Sequence, residues 1–149
     1  QGLENANIFQ YDAEFAIPFA GGAFDVILID APCSGTGTIR HNPEIRYTLE
    51  PSDLPARAGK QLGLIQNASK LLRQGGKLIY STCSLESEEN EGVCRAFLAG
   101  ATDFQKSRPD VPQELIDDEG YARTFPHRDG MDGFFIACFE KRQPGSGVL

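Results

Sequence analysis

The chain has 149 residues, of which 40% are hydrophobic and 23% are charged, a size and balance typical of one globular domain with a modest core. No apolar run approaches the ~20 residues of a membrane-spanning helix, and residues 1–10 lack the basic-then-apolar order of a signal peptide, so we expect a cytoplasmic protein without membrane contact. The formal net charge of −7 does not favour a nucleic-acid partner, because phosphate binding draws on Lys and Arg.

Five segments are predicted as strands. Phe24–Ile29 is nearly continuously apolar, which is typical of a strand buried on both faces of a parallel sheet, and Lys77–Ser81 has the same character. Phe134–Phe139 is predicted as a third strand, Asn7–Tyr11 as a weaker fourth and Phe104–Ser107 as a short fifth. The stretch Arg108–Asp132, rich in Pro, Asp and Gly, is expected to be a long surface connection before the last strand.

Two helices are predicted between and after the two strongest strands. Leu54–Leu72 has apolar residues at three- and four-residue steps, and the glycine pair at 75–76 is expected to end it. The second helix, Ser84–Leu98, opens with acidic residues that suit a positive helix end, and Ser84 or Ser87 is expected to cap it. The order strand, helix, strand, helix predicts an α/β fold, with a mostly parallel sheet and helices on its faces.

The residues after the two strongest strands are candidates for chemistry, because open α/β sheets bind ligands beyond the carboxyl ends of their strands. Asp30 and Cys33 follow the first strand, and Cys83 follows the second. If the strands are neighbours, two thiols and a carboxylate meet at one edge of the sheet, which we interpret as a reactive site. Cys94 and Cys138 lie in apolar surroundings and are interpreted as buried hydrophobic residues.

Other local patterns are less informative. The four cysteines lack CxxC spacing, so we expect no metal site. Residues 35–37 (GTG) lack the lysine of a phosphate-binding loop and are interpreted as a flexible turn. The dipole of the second predicted helix favours a Cys83 thiolate, whereas Glu86, Glu88 and Glu89 oppose it.

Two cysteine-containing segments carry a resemblance to a known family. DAPCSG at residues 30–35 and STCS at residues 81–84 resemble motifs IV and VI of the RNA cytosine-5 methyltransferases, the Sun/Fmu group. The segments NPE at 42–44, EENE at 88–91 and DGFFIA at 132–137 are also similar to that family. The resemblance extends from about Asp12 to Lys141 and implies a Rossmann-like methyltransferase fold that uses S-adenosylmethionine.

The resemblance also implies roles for individual residues. Cys83 is expected to attack C6 of a cytosine in RNA, and Cys33 is expected to help release the methylated product. Ribosomal RNA is expected as the substrate in preference to transfer RNA. Asp30 is expected to contact the base near N3 or N4 and the methionine end of S-adenosylmethionine. Asp12 resembles the acidic residue that contacts the adenine end of the cofactor, although a turn aspartate would look the same.

Two alternatives remain open. Cys33 could be the attacking thiol instead, because DNA cytosine-5 methyltransferases use a Pro-Cys motif, although the Thr82-Cys83 pair favours the RNA version. A second alternative is a non-catalytic fragment that binds RNA. A dehydrogenase is not supported, because no dinucleotide fingerprint is present.

The glycine-rich cofactor loop of the family lies on an earlier strand, which this chain lacks. We therefore expect residues 1–142 to be a partial catalytic domain, inactive as it stands and weak in cofactor binding, and residues 143–149 to be a flexible tail. Without that strand, Phe24–Ile29 becomes an edge. We expect the edge to be covered by residues Gly2 to Phe9 or by a second copy in a homodimer.

Overall fold

The fold was obtained as a computed structural model that describes residues 5–143. Five strands form one sheet in the order β1-β2-β5-β3, with β4 also pairing with β5. The strands are β1 (Phe24–Asp30), β2 (Leu72–Thr82), β3 (Phe104–Ser107), β4 (Ala122–Thr124) and β5 (Phe134–Lys141), and the helices are α1 (Ile45–Thr48), α2 (Leu54–Ser69), α3 (Glu91–Gly100) and α4 (Pro126–Asp129). No helix in the described part of the chain is long and apolar enough to cross a membrane.

The α/β class predicted from the sequence is confirmed, but the sheet is not mostly parallel within the described residues. β1 and β2, joined by α2, are parallel. β5 pairs antiparallel with β2, β3 and β4. The apolar run of β5 indicated burial but not direction, because strand pairing is a long-range property that local composition does not encode. The connection at 108–132 is also more ordered than expected, since it contains β4 and α4.

The glycine pair at 75–76 does not end a helix, as predicted, but lies inside β2. The helix α2 ends earlier, at Ser69, and Leu72 already pairs with Phe24 of β1. The register shifts between Phe24 and Val26, and a Cβ on Gly76 would lie 2.9 Å from the carbonyl oxygen of Asp25. The glycine therefore permits a close approach of the two strands at an irregularity in the sheet.

Two further predictions for local structure are wrong. The helix α3 begins at Glu91 rather than Ser84, and neither Ser84 nor Ser87 is its N-cap, a position that Asn90 occupies. Residues 84–86 instead have no regular structure and residues 87–90 form a turn, because polar groups of this segment bond to neighbouring segments around the two thiols. Residues 7–11 form no strand and are exposed.

The core lies between the sheet and the pair α2 and α3. The ring of Phe97 on α3 stands edge-on to Phe104 and Phe139, with centroids 5.2 Å away in both cases. Ile65 on α2 is fully buried in the same cluster. This edge-to-face packing fixes α3 on the sheet and so fixes the turns that lead into it.

The far edge of β1 has no partner strand among residues 5–143. Its side chains Val26 and Leu28 are 54% and 65% exposed. Residues 5–9 do not pair with this edge, so the predicted cover is wrong for them, and residues 2–4 lie outside the described part. The homodimer stays a prediction, and residues 144–149 of the predicted tail are also outside the described part.

The turn at Thr36–Thr38 is packed rather than flexible, which corrects the interpretation of residues 35–37. Gly37 donates its N–H to the carbonyl of Cys83 at 2.9 Å, and its own carbonyl accepts from the N–H of Gly133 at 2.8 Å. A Cβ on Gly37 would lie 2.1 Å from the carbonyl oxygen of Gly133. Three chain segments therefore meet at a point where only glycine fits.

We predict that Gly37→Ala destabilises the protein by about 1–3 kcal/mol, because the backbones must separate to admit the methyl group. Gly59→Ala is the control, since a Cβ there meets nothing within 4 Å. Gly59 is an exposed position of α2, where alanine should stabilise by about 0.5–1 kcal/mol. Urea denaturation of the full-length protein measures both changes. Equal effects of the two variants would contradict the packing described for Gly37.

Candidate functional site

The thiols of Cys33 and Cys83 lie together at one end of the sheet. Asp30, the last residue of β1, is in register with Ser81 of β2, and the ladder continues with a hydrogen bond from the N–H of Ala31 to the carbonyl of Ser81 at 2.9 Å. The two sulfur atoms are 3.4 Å apart, and both residues are half-buried. The shared site expected from adjacent parallel strands is therefore present in the structure.

The surroundings of Cys33 keep its thiol protonated. Burial, together with the hydrogen bond and the charge of Cys83, raises the pKa of Cys33 to about 12. Backbone hydrogen bonds from Gly35 and Cys83 act in the opposite direction but do not compensate. At neutral pH this residue is therefore a neutral S–H group in contact with the second sulfur.

The carboxylate of Asp30 lies at the exposed carboxyl end of β1, three residues before Cys33 in the chain. Its Oδ1 accepts a hydrogen bond from the hydroxyl of Ser81 at 3.2 Å, which orients the group. Asp30 also lines a cavity of about 450 Å³ that extends away from β2 along the surface of β1. A carboxylate at this place can accept hydrogen bonds from a ligand in the cavity or from a base held near the sulfurs.

Asp12 lines the same cavity from the segment that precedes β1. Its Oδ1 accepts a hydrogen bond from the N–H of Glu14 at 3.0 Å, and its carbonyl accepts one from the N–H of Phe15 at 3.1 Å. These bonds are those of a turn aspartate. The structure thus brings Asp12 and Asp30 to one cavity. Asp12 also stabilises a local turn, as a turn aspartate is expected to do.

A buried carboxylate, Glu89, ties the loop of Cys33 to the turn that follows Cys83. Glu89 is 0% exposed. It accepts the N–H of Ser34 at 2.9 Å and the hydroxyl of the same residue at 2.5 Å. It also accepts the side-chain amide of Gln61, on α2, at 3.0 Å. Because Ser34 is next to Cys33 in the chain, this carboxylate fixes the position of the first thiol.

The helix α2 adds two contacts to the same loop. The amide of Gln61 also donates to the carbonyl of Pro32 at 3.0 Å, and Arg57 donates to the carbonyl of Cys33 at 3.4 Å. Two successive carbonyls, those of Pro32 and Cys33, are thus bound by α2. The loop is held from three directions: by β1, by α2 and by Glu89.

The loop of Cys83 is held by Asn90 in the same way. The hydroxyl of Thr82 donates to the side-chain oxygen of Asn90 at 2.6 Å, and the amide of Asn90 donates to the carbonyl of Ser84 at 2.9 Å. The hydroxyl of Tyr80 donates to the main-chain carbonyl of Glu89 at 2.6 Å. These buried bonds lie on both sides of Cys83, and they explain why residues 84–90 do not form the first turns of α3.

Sequence reasoning missed Glu89, Asn90 and Gln61. It treated Glu89 as one of several helical acids that oppose a thiolate, whereas the carboxylate is buried and bound to neutral donors. One signal was available: Gln61 precedes Ile65 by four residues on the apolar face of α2, and a polar residue in that position needs a buried partner. No group of three or more His, Cys, Asp or Glu residues within 5–143 could hold a metal ion.

The comparisons with known proteins agree on one family. The family model described as 16S rRNA methyltransferase RsmB/F matches residues 1–140. Ribosomal RNA small subunit methyltransferase B of Thermus thermophilus is 44% identical over 111 residues, covering 74% of this chain and 28% of that protein. Ribosomal RNA small subunit methyltransferase F of Escherichia coli is 35% identical over 147 residues, covering 95% of this chain and 31% of that protein.

A solved structure agrees with these sequence relatives. The crystal structure of NSun6 from Pyrococcus horikoshii with SFG has a TM-score of 0.79 and 29% identity, and the match covers 95% of this chain and 36% of that one. The chain therefore spans less than two fifths of the length of each of these proteins. The family model covers nearly the whole sequence and confirms the resemblance drawn from the cysteine motifs: the chain belongs to the 16S rRNA methyltransferase RsmB/F family.

Proposed function

We propose that the full-length protein transfers a methyl group from S-adenosylmethionine to C5 of a cytosine in ribosomal RNA, in the cytoplasm, through a covalent bond between Cys83 and C6. The observation that carries this proposal is the pair of sulfurs 3.4 Å apart, one of them held as a neutral thiol. Membership of this family supports an RNA methyltransferase activity. The two bacterial relatives, methyltransferases B and F, are named for the small-subunit ribosomal RNA. Residues 1–142 are then part of the catalytic domain.

The residues that line the two cavities along β1 fit the cofactor. The cavity of about 450 Å³ has carboxylates at Asp12 and Asp30, which suit the hydroxyl and ammonium donors of S-adenosylmethionine. A neighbouring apolar cavity of about 360 Å³, lined in part by Tyr11 and Phe24, suits a flat ring. When bound, S-adenosylmethionine supplies an electrophilic methyl group to C5. A structural neighbour is described with SFG, an analogue of this cofactor.

Cys83 is the attacking group in this proposal. Cytosine C5 is a weak nucleophile until a thiolate adds to C6, because the addition breaks the C5–C6 double bond and moves its electron pair toward C5. The raised pKa of Cys33 favours this assignment over the reverse one, since a thiol that keeps its proton is a poor nucleophile. The target base must leave its stack for C6 to reach a half-buried sulfur.

Cys33 acts on release. After methylation, a base removes the C5 proton, the electron pair re-forms the C5–C6 double bond, and the bond between C6 and the Cys83 sulfur breaks. The departing sulfur carries the negative charge. The S–H group of Cys33, in contact with that sulfur, can donate a hydrogen bond to it and so make it a better leaving group. Asp30 is proposed to bind N3 or N4 and to favour protonation of the ring during addition.

We predict that Cys83→Ala abolishes covalent adducts with a cytidine-containing ribosomal RNA fragment, whereas Cys33→Ala accumulates them, because only release depends on Cys33. Denaturing electrophoresis of the full-length protein with labelled RNA measures both. Cys138→Ala is the control, since that cysteine lies in β5 outside the site, and it should behave as wild type. Adducts in Cys83→Ala but not in Cys33→Ala would exchange the roles of the two residues.

A second prediction concerns the pH dependence of Cys33. A raised pKa means that the reactive thiolate appears only at higher pH, so the rate of alkylation of Cys33 by iodoacetamide should still rise about tenfold per pH unit at pH ~9–10. A free thiol with a pKa of ~8.5 levels off there. Mass spectrometry of the peptide that contains Cys33 gives this rate. In Cys83→Ala the rate should level off at a lower pH than in the wild type, because the hydrogen bond and the charge of Cys83 no longer raise the pKa of Cys33. A plateau below pH ~9 in the wild type would contradict the neutral-thiol role.

A further inference from the structure

Tyr47 is an aromatic side chain that nothing in the described part of the chain covers. It lies on the one-turn helix α1 and is 86% exposed. Its ring makes no aromatic or cation–π contact within residues 5–143, whereas Phe97 and Phe135, for example, each contact another ring. An exposed aromatic ring has a free face on which a flat group can stack.

The position of α1 relative to the thiols is fixed. Ile45, two residues before Tyr47, has its Cδ1 3.2 Å from where a Cβ on Gly35 would lie, so the helix rests on the loop that carries Cys33. The segment that leads to α1 begins at Gly37, which is bonded to the carbonyl of Cys83. Tyr47 therefore belongs to a segment that adjoins both thiol loops.

The segment that carries Tyr47 contains two arginines, Arg40 and Arg46. Residues 39–48 contain Arg40, Arg46 and Glu44, a formal charge of +1 with His41 neutral, in a chain of net charge −7. Arg40 and His41 lie near Asp132, with distances of 3.6 and 3.3 Å to its carboxylate. The guanidinium of Arg46 is exposed and makes no hydrogen bond or ion pair within residues 5–143. It is available to a phosphate group.

We propose that Tyr47 and Arg46 bind the RNA strand next to the target cytosine, with an unpaired base stacked on the Tyr47 ring and a phosphate on Arg46. An exposed aromatic ring and an exposed guanidinium on successive residues of one short helix suit a single strand, which offers bases for stacking and phosphates for pairing. A cytosine held out of its stack at the thiols leaves its neighbours unstacked, and the ring replaces one lost stacking partner. The proposal rests on the proposed RNA methyltransferase function.

The test is equilibrium binding of a fluorescently labelled single-stranded ribosomal RNA fragment to the full-length protein. Tyr47→Ala should weaken binding roughly 5- to 150-fold, the range expected for loss of one base–aromatic stack. Tyr47→Phe should retain affinity, because it keeps the ring face. Tyr47→Leu should lose affinity like Tyr47→Ala, because leucine keeps most of the bulk but not the π-face.

Arg46→Gln should weaken binding for every RNA sequence. It should also reduce the slope of the logarithm of affinity against the logarithm of salt concentration by about one. Arg95→Gln, which removes an exposed arginine of α3 paired with Glu119, is the control and should leave that slope closer to wild type.

Three outcomes would overturn the proposal. Wild-type affinity in Tyr47→Ala would show that the ring does not touch RNA, as would equal affinities of the Leu and Phe variants. A fall in the thermal unfolding temperature of Tyr47→Ala with unchanged RNA affinity would assign the ring to a contact inside the full-length protein. Failure of the proposed function is distinguishable, because the wild-type protein would then bind RNA without forming any Cys83 adduct.

Discussion

The arrangement of the site depends on one buried carboxylate. Glu89 has no exposed surface, and every donor that reaches it is neutral: the N–H and hydroxyl of Ser34 and the amide of Gln61. An ionisable group is costly to bury unless its hydrogen-bonding capacity is used. The chain meets that requirement only when the loop after β1, the helix α2 and the turn after β2 are all in place. The carboxylate therefore couples the position of the Cys33 loop to the position of the turn that follows Cys83.

This constraint explains how a short contact between two sulfurs is maintained. Parallel strands bring the ends of β1 and β2 together, but loops beyond strand ends are ordinarily mobile. Here both loops are bound on several sides, and Gly37 joins them through its bond to the carbonyl of Cys83. Burial of Cys33 results from the same packing, and burial is the first cause of its raised pKa. The packing that orders the loop is thus also what favours the neutral form of the Cys33 thiol.

Local sequence patterns predicted β1, the parallel pairing of β1 with β2 and the meeting of Cys33 with Cys83, because each depends on short apolar runs and on the residues directly after those runs. They did not predict the antiparallel direction of β5, which is decided by pairing between distant segments. The glycine pair at 75–76 is a local stop signal that the close approach of β1 overrides. Glu89 was missed because, within an acidic run, a residue that becomes buried looks the same as its solvated neighbours. The family resemblance supplied the proposed roles of Cys33 and Cys83, and the structure adds that the two thiols are in contact and that burial raises the pKa of Cys33.

The central claim is that Cys83, and not Cys33, bonds to the cytosine. The most direct measurement is peptide mapping of the adduct that the full-length protein forms with RNA carrying 5-fluorocytidine at the target position. Fluorine replaces the C5 proton, so the double bond cannot re-form and the adduct persists after methyl transfer. After digestion, mass spectrometry should find the methylated fluorocytidine on the peptide that contains Cys83, with Cys33 unmodified. Attachment to the Cys33 peptide, or no attachment to either thiol, would contradict the account.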